Sequence, residues 1–77
     1  MAEFEIKAKG GVTYLKEELQ RILKLSNGDG KFKGLANFKT VVLYPENASP
    51  EEILKSLEVI KKDLELRAEE QGGDENE

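Results

Sequence analysis

Apolar and polar residues alternate from Glu3 to Lys9, with Phe4, Ile6 and Ala8 on one side and Glu3, Glu5, Lys7 and Lys9 on the other. A period of two predicts a half-buried strand. Gly10-Gly11 permits a sharp turn through positive φ. Val12 to Tyr14 is β-branched and aromatic, which predicts a short second strand. At Leu15 the period changes. Leu15, Leu19, Ile22 and Leu23 fall at i, i+4, i+7 and i+8, one face of a helix, while Lys16, Glu17, Gln20, Arg21 and Lys24 take the solvent side. Acids early and bases late in this helix agree with its macrodipole. Ser26-Asn27-Gly28-Asp29-Gly30 is a stop, with Gly28 suited to a left-handed turn.

Lys31 to Ala36 reads as a weaker strand interrupted by Gly34, a residue that marks a bulge or a close backbone approach. Phe38 to Tyr44 is the strongest strand by composition, and a short connection near Ala36-Asn37 makes the two a hairpin. Pro45 ends it, because proline cannot donate to a ladder. Ser49-Pro50-Glu51-Glu52 is a helix start: Ser49 caps, Pro50 takes the first helical position and Glu52 completes a capping box. The helix that follows is expected to run to Arg67 or Glu70. Ile53, Leu57, Ile60 and Leu64 are spaced as a short coiled-coil seam, and Leu54, Val59 and Leu66 widen its apolar surface. The seam serves either dimerisation and cover for the β-core or, alternatively, recognition of a protein partner. Gln71 to Glu77 holds no apolar residue and is expected to be disordered.

Composition sharpens this outline. With 77 residues there is room for one domain. A chain this short buries little of its surface, so a metal, a disulfide or a second subunit is expected to help. Cysteine and histidine are both absent, which removes disulfides and the usual zinc, iron and copper ligands and leaves oligomerisation. The missing cysteines fit a cytoplasmic protein. No apolar run approaches the roughly 20 residues a membrane span needs, so no membrane partner is expected. The net charge of −4 is unevenly shared: residues 1–44 carry eight Lys/Arg against five Asp/Glu, and residues 45–77 carry four against eleven. A polyanion would therefore meet the first part.

Candidate chemistry is sparse. Without His or Cys, catalysis would need Asp, Glu, Lys, Ser or Tyr gathered by the fold, and nearly every carboxylate falls on a strand surface, a helix face or the acidic end. No enzyme activity, cofactor or metal is expected. The Asn-Gly-Asp-Gly run is no calcium loop, since Leu25 and Ala36 would occupy the end positions that need carboxylates. Gly10-Gly11 lacks both the GxGxxG and the GK[ST] fingerprints of phosphate binding. What remains is a basic set: Lys7, Lys9, Lys16, Arg21 and Lys24. Lys7 and Lys9 share a strand face, and Arg21 and Lys24 share a helix face. The set is either an ordinary solvated surface or a contact for DNA phosphates.

The order of these elements resembles the AbrB/SpoVT family of swapped-hairpin transcription regulators. The residues that carry the resemblance are Lys9-Gly10-Gly11-Val12-Thr13-Tyr14-Leu15, Leu19, Ile22-Leu23, Leu25 and Gly28-Asp29. Lys39-Thr40-Val41-Val42-Leu43 looks like the closing strand of archaeal members, and Ser56 to Arg67 looks like a helix appended to some of them. The resemblance covers about residues 3–44 and that helix. Lys16 stands where the family commonly has proline, and Glu17 where it often has lysine. Arg21 is the only arginine before residue 45, and lysine lacks the planar fork that reads guanine, so modest base specificity is expected.

The resemblance implies an α+β fold, mainly β: a dimeric swapped-hairpin barrel of order β-β-α-β-β followed by a C-terminal helix. The expected organisation is a DNA-binding domain over residues 1–45, an amphipathic helix over 49–70 and an acidic tail over 71–77. The expected partners are double-stranded DNA, contacted by Lys7, Lys9, Lys16, Arg21 and Lys24, and a second copy, paired along Ile53, Leu57, Ile60 and Leu64. Two alternatives stand beside a cytoplasmic transcription regulator. One is an antitoxin whose C-terminal region wraps a toxin or other protein; the other is a structural interaction module without DNA binding.

Overall fold

A computed structural model describes residues 3–70, and the acidic tail over 71–77 lies outside the described residues. The element order is β1 (Ala8–Lys9), β2 (Val12–Thr13), α1 (Glu17–Ile22), β3 (Phe32–Ala36), β4 (Val41–Pro45) and α2 (Pro50–Glu70). It is a small α+β arrangement of two antiparallel hairpins with a short helix between them and a long helix at the end. Among the described residues of one chain the hairpins remain separate two-stranded sheets, and no barrel closes. The chain divides into two units, residues 3–48 and the helix that begins at Ser49.

The first hairpin turns on two glycines. Gly10 and Gly11 have φ of 60° and 79°, the pair of positive values that a two-residue type I′ turn requires. The ladder holds only Ala8↔Thr13 and Lys9↔Val12, extended by a bond from the Thr13 hydroxyl to the Lys7 carbonyl at 2.6 Å. The strand expected from Glu3 is therefore confined to Ala8–Lys9. Alternation specifies which side chains share a face, but a strand also needs ladder pairing, and the ladder here reaches no further than Ala8.

Helix α1 begins at Glu17, two residues after the apolar period starts, because Lys16 holds an extended backbone with no side-chain cap. It ends in a Schellman motif: Leu25 N–H donates to Gln20 O at 2.9 Å and Lys24 N–H to Arg21 O at 3.1 Å. The left-handed residue of that motif is Lys24, at φ 61°, a position where glycine is usual. The expected left-handed Gly28 also exists, at φ 82°, but it belongs to the next turn. There Asn27 and Gly28 reverse the chain while Ser26 and Asp29 exchange backbone bonds of 2.8 and 2.9 Å. Lys24→Gly should relieve the left-handed strain and raise stability by about 0.5–1 kcal/mol, a gain read as a higher Tm.

The second hairpin pairs Phe32↔Pro45 through Ala36↔Val41 in continuous register. The strand expected from Phe38 starts only at Val41. Asn37 diverts the three intervening residues: its side-chain Oδ1 accepts from Lys39 N–H at 3.3 Å, and its N–H donates to Thr40 O at 2.9 Å. Gly34 is a close approach rather than a bulge. A Cβ there would lie 3.0 Å from Leu43 Cδ2 and 3.2 Å from Val42 O, so the missing side chain is what lets Leu43 lie across the strand.

Helix α2 starts as expected. Ser49 N–H donates to Glu52 Oε1 at 2.9 Å and Glu52 N–H to Ser49 Oγ at 3.2 Å, a reciprocal capping box. Asp63 and Arg67 pair one turn apart at 2.6 Å near its end. None of its residues is fully buried.

Burial is the outstanding feature of the single chain. Leu23, 4% exposed, is the only buried hydrophobic residue among those described. Leu15, Leu19 and Leu25 around it in sequence are half-buried, whereas Ile22 is exposed. The register places Phe32, Gly34, Ala36, Val41, Leu43 and Pro45 on one face of the second hairpin. Lys33, Leu35, Val42 and Tyr44 share the other. Both faces are thus apolar but for one lysine, the pattern of strands covered on two sides. Yet Leu35, Val41 and Leu43 are 57%, 63% and 45% exposed.

Candidate nucleic-acid interface

The ladder of the first hairpin pairs Lys9 with Val12 and Ala8 with Thr13, and the Thr13 hydroxyl on the Lys7 carbonyl ties the two arms one residue further. Because side chains alternate between faces of a ladder, Lys9 and Val12 share one side and Ala8 and Thr13 the other.

An open depression of about 270 Å³ lies between the two arms, lined by Glu5, Ile6, Lys7, Tyr14 and Lys16. Lys7 and Lys16 therefore come together around Tyr14, whose ring is largely exposed. Lys9 stands at the turn, next to the two glycines. Glu5 is the single acid in the group and lowers its positive potential at one end.

Arg21 and Lys24 form a second group at the C-terminal end of α1 and do not line the depression. Both are exposed. Arg21 sits in the last helical turn, where a cation is favoured by the helix dipole. Lys24 keeps a cation at a left-handed position that glycine would occupy without strain. All five basic residues expected to face a polyanion are thus solvent-accessible, in one set of three and one of two.

Tyr14 and Glu5 were not among the expected contacts, although the signal for them lies in the sequence. A two-residue glycine turn folds its flanks back on each other, so counting outward from Gly10-Gly11 brings Lys7 toward Tyr14 and Glu5 toward Lys16, residues that line one depression.

The seam residues of α2 differ among themselves: Ile53 and Leu57 are half-buried, and Ile60 and Leu64 are exposed. Their spacing places them on one stripe, with Val59 and Leu66 on a separate one about a third of a turn away. Among the described residues no group of His, Cys, Asp or Glu is placed to hold a metal ion, and no helix is long and apolar enough to cross a membrane. Comparison with protein-family models, curated proteins and solved structures yields no match for this chain.

Proposed function

We propose that the protein is a homodimeric DNA-binding transcription regulator of the AbrB/SpoVT type, acting in the cytoplasm without cofactor or catalytic activity. The observation that carries this reading is the second hairpin, apolar on both faces but for Lys33, with Leu35, Val41 and Leu43 exposed in the single chain. Such a hairpin needs neighbours on two sides, and interleaving with a second copy supplies them. The same partner covers Phe4 and Ile6, which are exposed in one chain. The barrel forms only in the dimer.

Interleaving turns the apolar face of the first hairpin inward and its lysine face outward. Lys7, Lys9 and Lys16, with Arg21 and Lys24 beside them, then appear twice on the dimer and bind phosphates of a duplex. Helix α2 extends the dimer along Ile53, Leu57, Ile60 and Leu64. A helix of 21 residues whose mean hydropathy is low gains its stability from such packing rather than from propensity.

Two measurements test the reading together. Sedimentation should give twice the 8.6 kDa of one chain. Fluorescence anisotropy with a labelled random-sequence duplex should show binding at low salt that weakens steeply as salt rises. A monomer, or a dimer that leaves the duplex free at low salt, defeats the proposal.

One observation favours the antitoxin alternative. Helix α2 carries seven carboxylates against four cations and a second exposed stripe, Val59 and Leu66, outside the dimer seam. A basic toxin would match both its charge and that stripe. Purification from the native host separates the readings: a small nuclease in fixed stoichiometry supports the antitoxin, and the dimer alone supports the regulator.

A further inference from the structure

The tip of the second hairpin combines two features that the reading above leaves unused. Phe38 is 91% exposed, the most exposed large hydrophobic residue described. Its turn is well tied, with Asn37 N–H on Thr40 O and Lys39 N–H on Asn37 Oδ1, so the ring projects from an ordered loop. Lys39 Nζ lies over the ring, 5.6 Å from its centroid. An ammonium on an aromatic face is favoured by the ring quadrupole. It also leaves the other face of Phe38 open.

Charge indicates what meets that face. Between Gly30 and Glu46 the chain has three lysines, Lys31, Lys33 and Lys39, and no acid, within a protein whose net charge is −4. A symmetric contact between two such tips would bring like charges together. A protein surface that buried the ring would also strip water from Lys39, at a cost that only a paired anion offsets. A duplex supplies both complements: phosphates for the ammonium and the apolar face of a base step for the ring.

We propose that the β3–β4 tip is a second DNA contact, in which Phe38 packs against a base step while Lys39 binds an adjacent phosphate. The inference rests on the DNA-binding reading above and adds to it a site on the other hairpin. It also gives the dimer a route to sequence preference that lysine–phosphate contacts do not supply, because base steps differ in how readily they unstack.

Phe38→Trp tests it, since the chain contains no tryptophan of its own. Emission of the free protein should be that of a solvent-exposed indole and should be quenched by a short random-sequence duplex. In parallel, Phe38→Ala should weaken duplex binding about tenfold with an unchanged salt slope, and Lys39→Ala, which removes one ammonium from each of the dimer's two tips, should reduce the slope by about two. Blue-shifted emission before DNA is added means that another part of the protein or its second copy covers the tip, and overturns the inference. So does exposed emission that the duplex leaves unchanged, together with unaltered affinity of Phe38→Ala. If the unsubstituted protein binds the duplex while both Phe38 variants are silent, only the tip contact fails. If the unsubstituted protein does not bind, the DNA-binding reading fails with it.

Discussion

Leu43→Asp should leave the protein a largely unfolded monomer at micromolar concentration, with sedimentation near the 8.6 kDa of one chain and loss of its far-ultraviolet circular dichroism. Leu43 lies across Gly34 on the wholly apolar face of the second hairpin, where a single chain leaves it 45% exposed. Removing a leucine from an apolar interface forfeits about 2 kcal/mol, and burying a carboxylate in its place costs at least about as much again. Each dimer contains the site twice, so the loss is on the order of 6–8 kcal/mol. At about 1.4 kcal/mol per tenfold, that weakens association by at least about 10⁴-fold. The fold cannot retreat to a stable monomer, because Leu23 is the only buried hydrophobic residue described in one chain. Leu43→Met nearly conserves volume and should keep the dimer. Dilution of the unsubstituted protein supplies the matching control, since a fold that exists only as a dimer melts at a temperature that falls with concentration. A Leu43→Asp variant that stays folded, or a Tm independent of concentration, contradicts an interleaved dimer.

The split between local and distant contacts decides which parts of the fold were legible in the sequence. Features governed by neighbouring residues could be read directly. Gly10-Gly11 specifies a type I′ turn through φ alone, and Ser49-Pro50-Glu51-Glu52 specifies a helix start whose reciprocal bonds the structure contains. The helix-end geometry at Lys24 was not legible, because nothing about a lysine announces a left-handed backbone. Nor was the loss of Phe38–Thr40 from the last strand. Their β-propensity is outweighed by the Asn37 side chain, which bonds the backbone of its own turn. Glu3–Lys7 illustrates a different limit. Its alternation is clear, yet a strand depends on ladder pairing as well, and the ladder begins at Ala8.

The candidate site was legible to a similar depth. Alternation placed Lys7 and Lys9 on one face, and the depression beside the hairpin brings Lys16 and Tyr14 to Lys7. The separation of Arg21 and Lys24 from this group follows from where α1 begins. Lys16 is the extended residue before the helix, whereas Arg21 lies in its last turn. Period counting alone treats both as one solvent side.

The double substitution Lys7→Ala/Lys9→Ala should weaken binding to a random-sequence duplex by about 10²-fold at low salt and flatten its salt dependence. Each protomer loses two ammonium groups, so the dimer loses up to four phosphate contacts. At about 0.9 per contact, the slope of log affinity against log salt should fall by roughly 3–4. The fold should be spared. Both side chains are exposed, Lys7 contributes to the hairpin through its carbonyl, which accepts from Thr13 Oγ1, and Lys9 through its backbone ladder. Alanine preserves those backbone groups. The loss should be nearly equal for all duplex sequences, because phosphate contacts position the protein without reading bases. Charge removal elsewhere provides the comparison: Lys61→Ala/Lys62→Ala on α2 removes the same number of charges from an element assigned to dimer extension. It should leave the slope within about one of the unsubstituted value, since those lysines are not assigned to phosphate contact. Equal slopes for the Lys7/Lys9 variant and the unsubstituted protein would move the DNA contact away from the first hairpin. Equal losses from the two double variants would instead reduce it to the net charge of the chain.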